Sequence, residues 1–390
     1  MKSEYVTKPL SEIASIQTGP FGSQLHKEDY VDEGTPIVTV EHLGARRFSE
    51  QNLPRVSDDD RERLSKYILC EGDTVFSRVG SVDRCSYVSK EYSGWMFSGR
   101  CLRVRPMKEL DPLYLYYYFT LETTKQFVRG IATGATMPSI NTKFMGEIPV
   151  SYPSRFVQKK ISDIFDAIDN RIEVNRRIND NLLQQAVAIF DKYYVAATHQ
   201  QAFTSLINVL GGGTPKTSNS AFWNGTIPFF TPKDVGNPYT FQTEKNITDS
   251  GLDHCNSRLY PKNTSFVTAR GTVGKVGLAG MPMAMNQSCY ALASDSVDPI
   301  LVYFYTLKAV ASLKHKASGA VFDAIVTRDF DTETINVLSE DESHTVHAVV
   351  APLMETIHNN TKENMQLAAL RDTLLPRLMS GELDVSDLDL

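Results

Sequence analysis

The chain has 390 residues, 42% of them hydrophobic and 22% charged, with a net charge of −6. That length allows two domains, each large enough for its own core. No run approaches the roughly 18 apolar residues of a membrane helix, and Met1-Lys-Ser-Glu-Tyr5 lacks the apolar core of a secretion signal, so a cytoplasmic protein with no membrane partner is expected. Residues 1–150 carry 19 basic and 20 acidic side chains, residues 151–341 carry 18 of each, and residues 342–390 carry 3 and 8. Acidity is concentrated at the C-terminal end, and the rest could present a basic face if its charges segregate.

Residues 1–154 read as short strands and turns with a few helices. Ile37–Val40, Thr74–Ser77 and Cys101–Arg105 have the β-branched, partly alternating composition of strands. Residues 112–119 and 121–128 predict a pair of helical segments. Next comes a long helical pattern, with Ile161, Phe165, Ile168, Ile172, Asn175, Asn179, Leu182, Ala186 and Ile189 at alternating spacings of four and three. That is the seam of a coiled coil, roughly 42 Å long at about 1.5 Å per residue. Residues 196–341 repeat the strand-and-turn pattern, punctuated by Gly211-Gly-Gly-Thr-Pro215, Asn224-Gly225 and Gly236-Asn-Pro238. A second seam follows at Val350, Met354, Ile357, Thr361, Asn364, Ala368, Arg371, Leu375 and Leu378.

These similarities form an ordered internal repeat. Asp73-Thr-Val-Phe-Ser-Arg-Val-Gly-Ser-Val-Asp-Arg84 returns as Thr264-Ser-Phe-Val-Thr-Ala-Arg-Gly-Thr-Val-Gly-Lys275. Gly34–Thr39 returns as Thr226–Thr231, Cys101 as Cys289, Asp111-Pro112 as Asp298-Pro299, and Gly134-Ala135 as Gly319-Ala320. A duplicated unit implies a pseudo-twofold molecule, and two similar but non-identical halves suit a two-part ligand. The two helices in one register, each after a repeat, predict an antiparallel pair. Asn175 and Asn364 are the midpoints of their seams and should meet at its centre and fix the register, the plain alternative being that both point to solvent and the true seam lies one position over.

Catalytic motifs are missing. No Pro-Pro pair exists for the Asp/Asn-Pro-Pro-aromatic motif of an adenine methyltransferase, and Asn237-Pro238-Tyr239 reads as a turn. Gly271-Thr-Val-Gly-Lys-Val-Gly277 superficially suggests a phosphate loop, but Ala269 and Val276 stand where that loop needs Gly and Ser/Thr. Val273 and Val276 point instead to a strand-turn-strand element. The five cysteines contain no Cys-x-x-Cys spacing and read as buried apolar groups, and the eight histidines show no metal spacing. His344 and His347 read as solvated or capping groups. No catalytic, cofactor or metal residue is assigned.

Leu370-Arg-Asp-Thr-Leu-Leu-Pro-Arg-Leu-Met-Ser-Gly-Glu-Leu383 closely resembles the end of the second conserved helix in specificity subunits of type I restriction–modification systems. Residues 268–275 and 227–235 resemble recurrent pieces of their target-recognition domains. The resemblance covers nearly the whole chain. It implies an α/β fold of two pseudo-twofold-related recognition domains separated by a long antiparallel two-helix coiled coil. The boundaries would be 1–154 for the first recognition domain, 155–195 for the first spacer helix, 196–341 for the second domain, 342–380 for the second helix, and 381–390 for an acidic tail. It also implies a non-catalytic subunit that binds double-stranded DNA, each domain reading half of a bipartite asymmetric site. The helices would set the unread spacer and dock two methyltransferase subunits, and restriction subunits where the system has them. S-adenosylmethionine would be bound by the methyltransferase partner, not by this chain. The rival readings are an unrecognised DNA-modifying enzyme, nuclease or methyltransferase, and a non-DNA scaffold assembled through the helix pair.

On that reading the DNA-facing candidates are Arg78, Arg84, Lys233, Arg270 and Lys275, supported by Thr39, Thr231 and Thr272. Arg and Lys can chelate guanine O6 and N7 or neutralise phosphates. The plain alternative for each is a solvated surface charge. In the first repeat the arginine of the loop is shifted by one position and Asp83 replaces a glycine.

Overall fold

The computed structural model describes residues 4–134, 136–316 and 324–386. Ala135, Gly319, Ala320 and the last four residues of the acidic tail lie outside the described residues. The chain divides into two units, Met1–Asn170 with Ala368–Leu390, and Arg171–Leu367.

In the first unit, Ala14–Thr18, Cys101–Pro106, Thr74–Ser77 and Cys85–Tyr87 form an antiparallel four-stranded sheet in that order. A second sheet runs Tyr30–Val31, Arg55–Val56, Thr35–Val38, Met96–Phe97, its last pair parallel. Val6–Pro9 pairs with Pro149–Tyr152. Asp111 opens the helix Pro112–Thr120 by accepting from the Leu113 and Tyr114 amides, with proline at the first turn. The chain leaves helical geometry at Leu121 and resumes as Glu122–Ile131. Asp73 is fully buried and takes a fork of two bonds from Arg105, at 2.6 and 2.7 Å, a geometry that satisfies a carboxylate out of water.

The second unit repeats this order. Asn208–Gly211, Cys289–Ala293, Ser265–Thr268, Val276–Ala279 and Tyr239–Thr240 make a five-stranded sheet. Lys245–Ile247, Trp223–Phe230 and Ala284–Met285 make a second, and Gln200–Ala202 pairs with Thr334–Asn336. Asp298 accepts from the Ile300 amide at the start of the helix Pro299–Lys316, which runs unbroken where the first unit has two helices. His347 places Nε2 3.2 Å from the Asp298 carboxylate, bracing that cap rather than standing free in solvent. Three of the cysteines, Cys85, Cys101 and Cys289, are buried as expected, whereas Cys70 is exposed and Cys255 partly so. No helix among the described residues is long and apolar enough to cross a membrane.

Two long helices, Arg155–Ala196 and Glu340–Met379, each pass from one unit into the other. The second opens with a Ser339/Glu342 capping box, in which the Glu342 carboxylate accepts from the Ser339 amide while Ser339 Oγ accepts from the Glu342 amide. It continues through Pro352, although a helix-interior proline costs about 3 kcal/mol. Val350, Met354 and Ile357 around it are fully buried with Phe190 and Phe304 in the main core of the second unit, and their burial outweighs that cost.

Within the second unit the helices run antiparallel. Arg171 forks onto Glu363 with two 3.0 Å bonds, Asn175 Nδ2 donates to Asn364 Oδ1 at 2.9 Å, and Asn179 Nδ2 donates to Thr361 Oγ1 at 3.2 Å. Within the first unit, Arg371 occupies its seam position with carboxylate partners, Asp169 and Asp372. Its guanidinium donates to Asp169 Oδ1 at 2.8 Å, and the Tyr117 hydroxyl donates to Asp169 Oδ2 at 2.8 Å. Burial, reinforced by Asp169, pushes the Tyr117 phenol far above its ordinary range, so it remains a donor. Asp169→Ala should therefore destabilise the protein by about 1–3 kcal/mol by leaving the buried Tyr117 hydroxyl without its acceptor, while Arg371 keeps its bonds to Asp372. Asp169→Asn should cost less, because it can still accept from Tyr117. Urea unfolding midpoints check this, and an unshifted midpoint for Asp169→Ala contradicts it.

Candidate nucleic-acid interface

The second unit carries an exposed loop, residues 269–275, between the strands Ser265–Thr268 and Val276–Ala279. It is a strand-turn-strand element, not a phosphate loop. Its backbone is fixed from several sides. Thr268 Oγ1 accepts from the Lys275 amide at 2.9 Å and donates to the Thr272 carbonyl. The Ala269 amide donates to Ser288 O at 2.8 Å, and its carbonyl accepts from the Ile325 amide at 2.9 Å. Gly271 and Gly274 have φ of +80° and +73°, the left-handed region where a side chain is strained, and a Cβ on Gly274 would stand 2.4 Å from Lys314 Cε. On this fixed backbone the Arg270 and Lys275 side chains are exposed and have no hydrogen bond or ion pair among the described residues.

A neighbouring turn adjoins the loop. Thr272 Oγ1 donates to Pro232 O at 3.3 Å. Thr231 gives both its amide and its hydroxyl to Asp234 Oδ2, at 2.8 and 2.6 Å, while Asp234 Oδ1 accepts from the Glu244 amide at 2.8 Å. Lys233 projects between them with an 80% exposed side chain, 3.6 Å from Glu244. Thr231, Lys233, Arg270, Thr272 and Lys275 thus lie on two joined loops, the threonines bracing the backbone and the cations facing solvent.

The first unit builds the same frame from different residues. Its loop, residues 78–84, joins Thr74–Ser77 to Cys85–Tyr87. Gly80 has φ +75°, the Ser77 amide donates to Arg84 O at 2.9 Å, and the Arg78 amide donates to Arg100 O at 2.8 Å. The bridges Val79 to Ser139 and Arg270 to Ala324 make Val79, not Arg78, the counterpart of Arg270. The one-residue shift turns Arg78 away, its guanidinium 5.7 Å from the Phe21 ring and 3.3 Å from Gly99 O. Arg84, the counterpart of Lys275, donates to the Leu43 carbonyl and lies against Gly44. Asp83 is neutralised by Arg129. Thr39 repeats the role of Thr231, with an imidazole in place of the carboxylate. His42 Nδ1 takes the Thr39 amide and hydroxyl at 3.0 Å each, which leaves Nε2 protonated to donate to Gln51 O at 3.2 Å.

A family model described as a type I restriction modification DNA specificity domain matches residues 2–184 and again 187–368. The chain belongs to the type I restriction–modification specificity family. It is 22% identical over 408 residues to the specificity subunit of the type I restriction enzyme HindI of Haemophilus influenzae, covering 82% of this chain and 88% of that one. It is also 22% identical over 301 residues to the MjaIX specificity subunit of Methanocaldococcus jannaschii, covering 70% of each. The crystal structure of a type I restriction–modification S subunit from M. genitalium shares the fold, with a TM-score of 0.65 at 14% identity over 96% of each chain.

In this member of the family two exposed charges on the frame escape sequence reasoning. Arg100 adjoins the first loop through its carbonyl, and its counterpart is Ser288, so the repeat does not flag it. Glu41 stands where the second unit has Lys233. Extending the repeat past Thr39 and Thr231 to Gly44 and Gly236 would have found it. No group of three His, Cys, Asp or Glu side chains among the described residues is arranged to hold a metal ion. Because Asp234 accepts three bonds that hold the turn, Asp234→Ala should lower stability by about 1–3 kcal/mol and Asp234→Asn by less. Chemical denaturation measures this, and an alanine variant as stable as the parent contradicts the bracing role.

Proposed function

We propose that this chain is the non-catalytic, sequence-reading subunit of a cytoplasmic methyltransferase/endonuclease complex. Each unit reads one half of a bipartite asymmetric site in double-stranded DNA. The carrying observation is one backbone frame built twice, with Arg270 and Lys275 exposed on one copy and Val79 and Arg84 in the same places on the other. A constant frame with different side chains gives two readers of different sequence, since base edges rather than phosphates carry sequence information. The long helices set the unread spacer and dock two methyltransferase subunits, which bind S-adenosylmethionine and do the chemistry. Restriction subunits join where the system has them. The Asn175–Asn364 bond fixes the helix register, because a slipped pairing would leave a buried amide without a partner at a cost of about 1–3 kcal/mol.

The test is binding and methyl transfer by the assembled complex on duplexes varied at each position of its site. Arg270→Ala with Lys275→Ala should relax discrimination in one half-site only, by roughly 1–3 kcal/mol per lost bidentate base contact. Equal relaxation of both halves, or a change confined to the salt dependence, would mark the two residues as phosphate contacts and contradict the assignment.

A further inference from the structure

We propose that Glu41 determines specificity in the first unit by accepting a hydrogen bond from a base with an exocyclic amino group in the major groove, cytosine N4 or adenine N6. This rests on the DNA-reading role above and names the chemistry of one contact within it.

The position follows from the two turns. Thr39-Val-Glu-His-Leu-Gly44 and Thr231-Pro-Lys-Asp-Val-Gly236 are held by the same pattern of bonds, a threonine amide and hydroxyl capped by the side chain three residues on. Each turn is tied to the adjacent loop, by Arg84 to Leu43 O in the first unit and by Thr272 to Pro232 O in the second. The frame therefore delivers Glu41 and Lys233 to equivalent places on its exposed face.

The charge then selects the ligand. The Glu41 carboxylate is exposed and has no hydrogen bond or ion pair among the described residues, and three neighbouring cations in the sequence or the loop have other partners. Arg46 pairs with Asp166, Arg47 with Glu91, and Arg84 with the Leu43 carbonyl. A carboxylate held toward a duplex is repelled by phosphates. The donors a duplex offers it in the major groove are exocyclic amino groups, and Glu suits cytosine N4. Lys233, at the equivalent place, suits the acceptors guanine O6 and N7. Opposite charges on one frame give the two half-sites opposite requirements at one position each.

The experiment uses the complex assembled with its methyltransferase subunits and measures kcat/KM for methyl transfer on duplexes carrying every base at every position of the site. Glu41→Gln should shrink the preference for an amino-bearing base at a single position of one half-site by about 10- to 100-fold, leaving the other half unchanged. Lys233→Glu should alter a single position of the other half-site. An evenly raised affinity for all sequences, or an unchanged preference after Glu41→Gln, overturns the inference. A wild-type complex with no sequence preference at all would instead overturn the DNA-reading role on which it rests.

Discussion

An amide buried in a helix seam must find a partner. Asn175 is 1% exposed, and Asn364 Oδ1 and Glu363 Oε2 receive both bonds from its Nδ2. Apolar seam residues tolerate sliding by a heptad because one aliphatic side chain replaces another. A heptad slip here would set Asn175 against Ile357 or Arg371, and neither offers an acceptor on its side chain. The register also decides which charges meet. In the second unit Arg171 reaches Glu363, whose carboxyl is held below its ordinary range by the Arg171 fork and then by Asn175. In the first unit Arg371 reaches Asp169, which makes a cation at a seam position tolerable. Everything attributed to the helices as a measuring element depends on that phase being unique.

The loops obey a complementary constraint. Their backbones are over-determined, by threonine hydroxyls, positive-φ glycines and bonds to neighbouring strands, so side chains can change without moving the frame. His42 and Asp234 show how far this goes. An imidazole and a carboxylate accept the same two threonine donors, and each makes a third contact suited to its own chemistry, donating to Gln51 O or accepting from the Glu244 amide. Divergence of specificity on a duplicated scaffold requires that separation of frame from contact residues.

Much of this was readable in the sequence, because it rests on residues with few conformational options. The Asp-Pro starts of Pro112–Thr120 and Pro299–Lys316, the glycines of the loops and the four-three spacing of the seams all carry local rules, and the seam midpoints pointed to the Asn175–Asn364 contact. Val273 and Val276 marked loop 269–275 as part of a strand-turn-strand element. What escaped was long-range. Nothing local says that Arg84 spends a donor on Leu43 O or that Arg371 finds Asp169. Glu41 escaped because the three residues after Thr39 and Thr231 differ in kind, although Gly44 and Gly236 match again and the hydrogen-bond pattern is the same.

The central claim is that one chain joins two readers at a separation set by helix register. Inserting one heptad into each long helix keeps the seam in phase and lengthens it by about 10 Å at about 1.5 Å per residue. That is close to three base pairs at about 3.4 Å each. The most direct measurement is single-molecule mapping of methylated sites in cells carrying the parent or the extended chain. The account predicts a bipartite asymmetric motif whose half-sites stay the same while the unread middle grows by about three base pairs. An active extended complex with an unchanged spacer, or a parent motif without two parts, would contradict it.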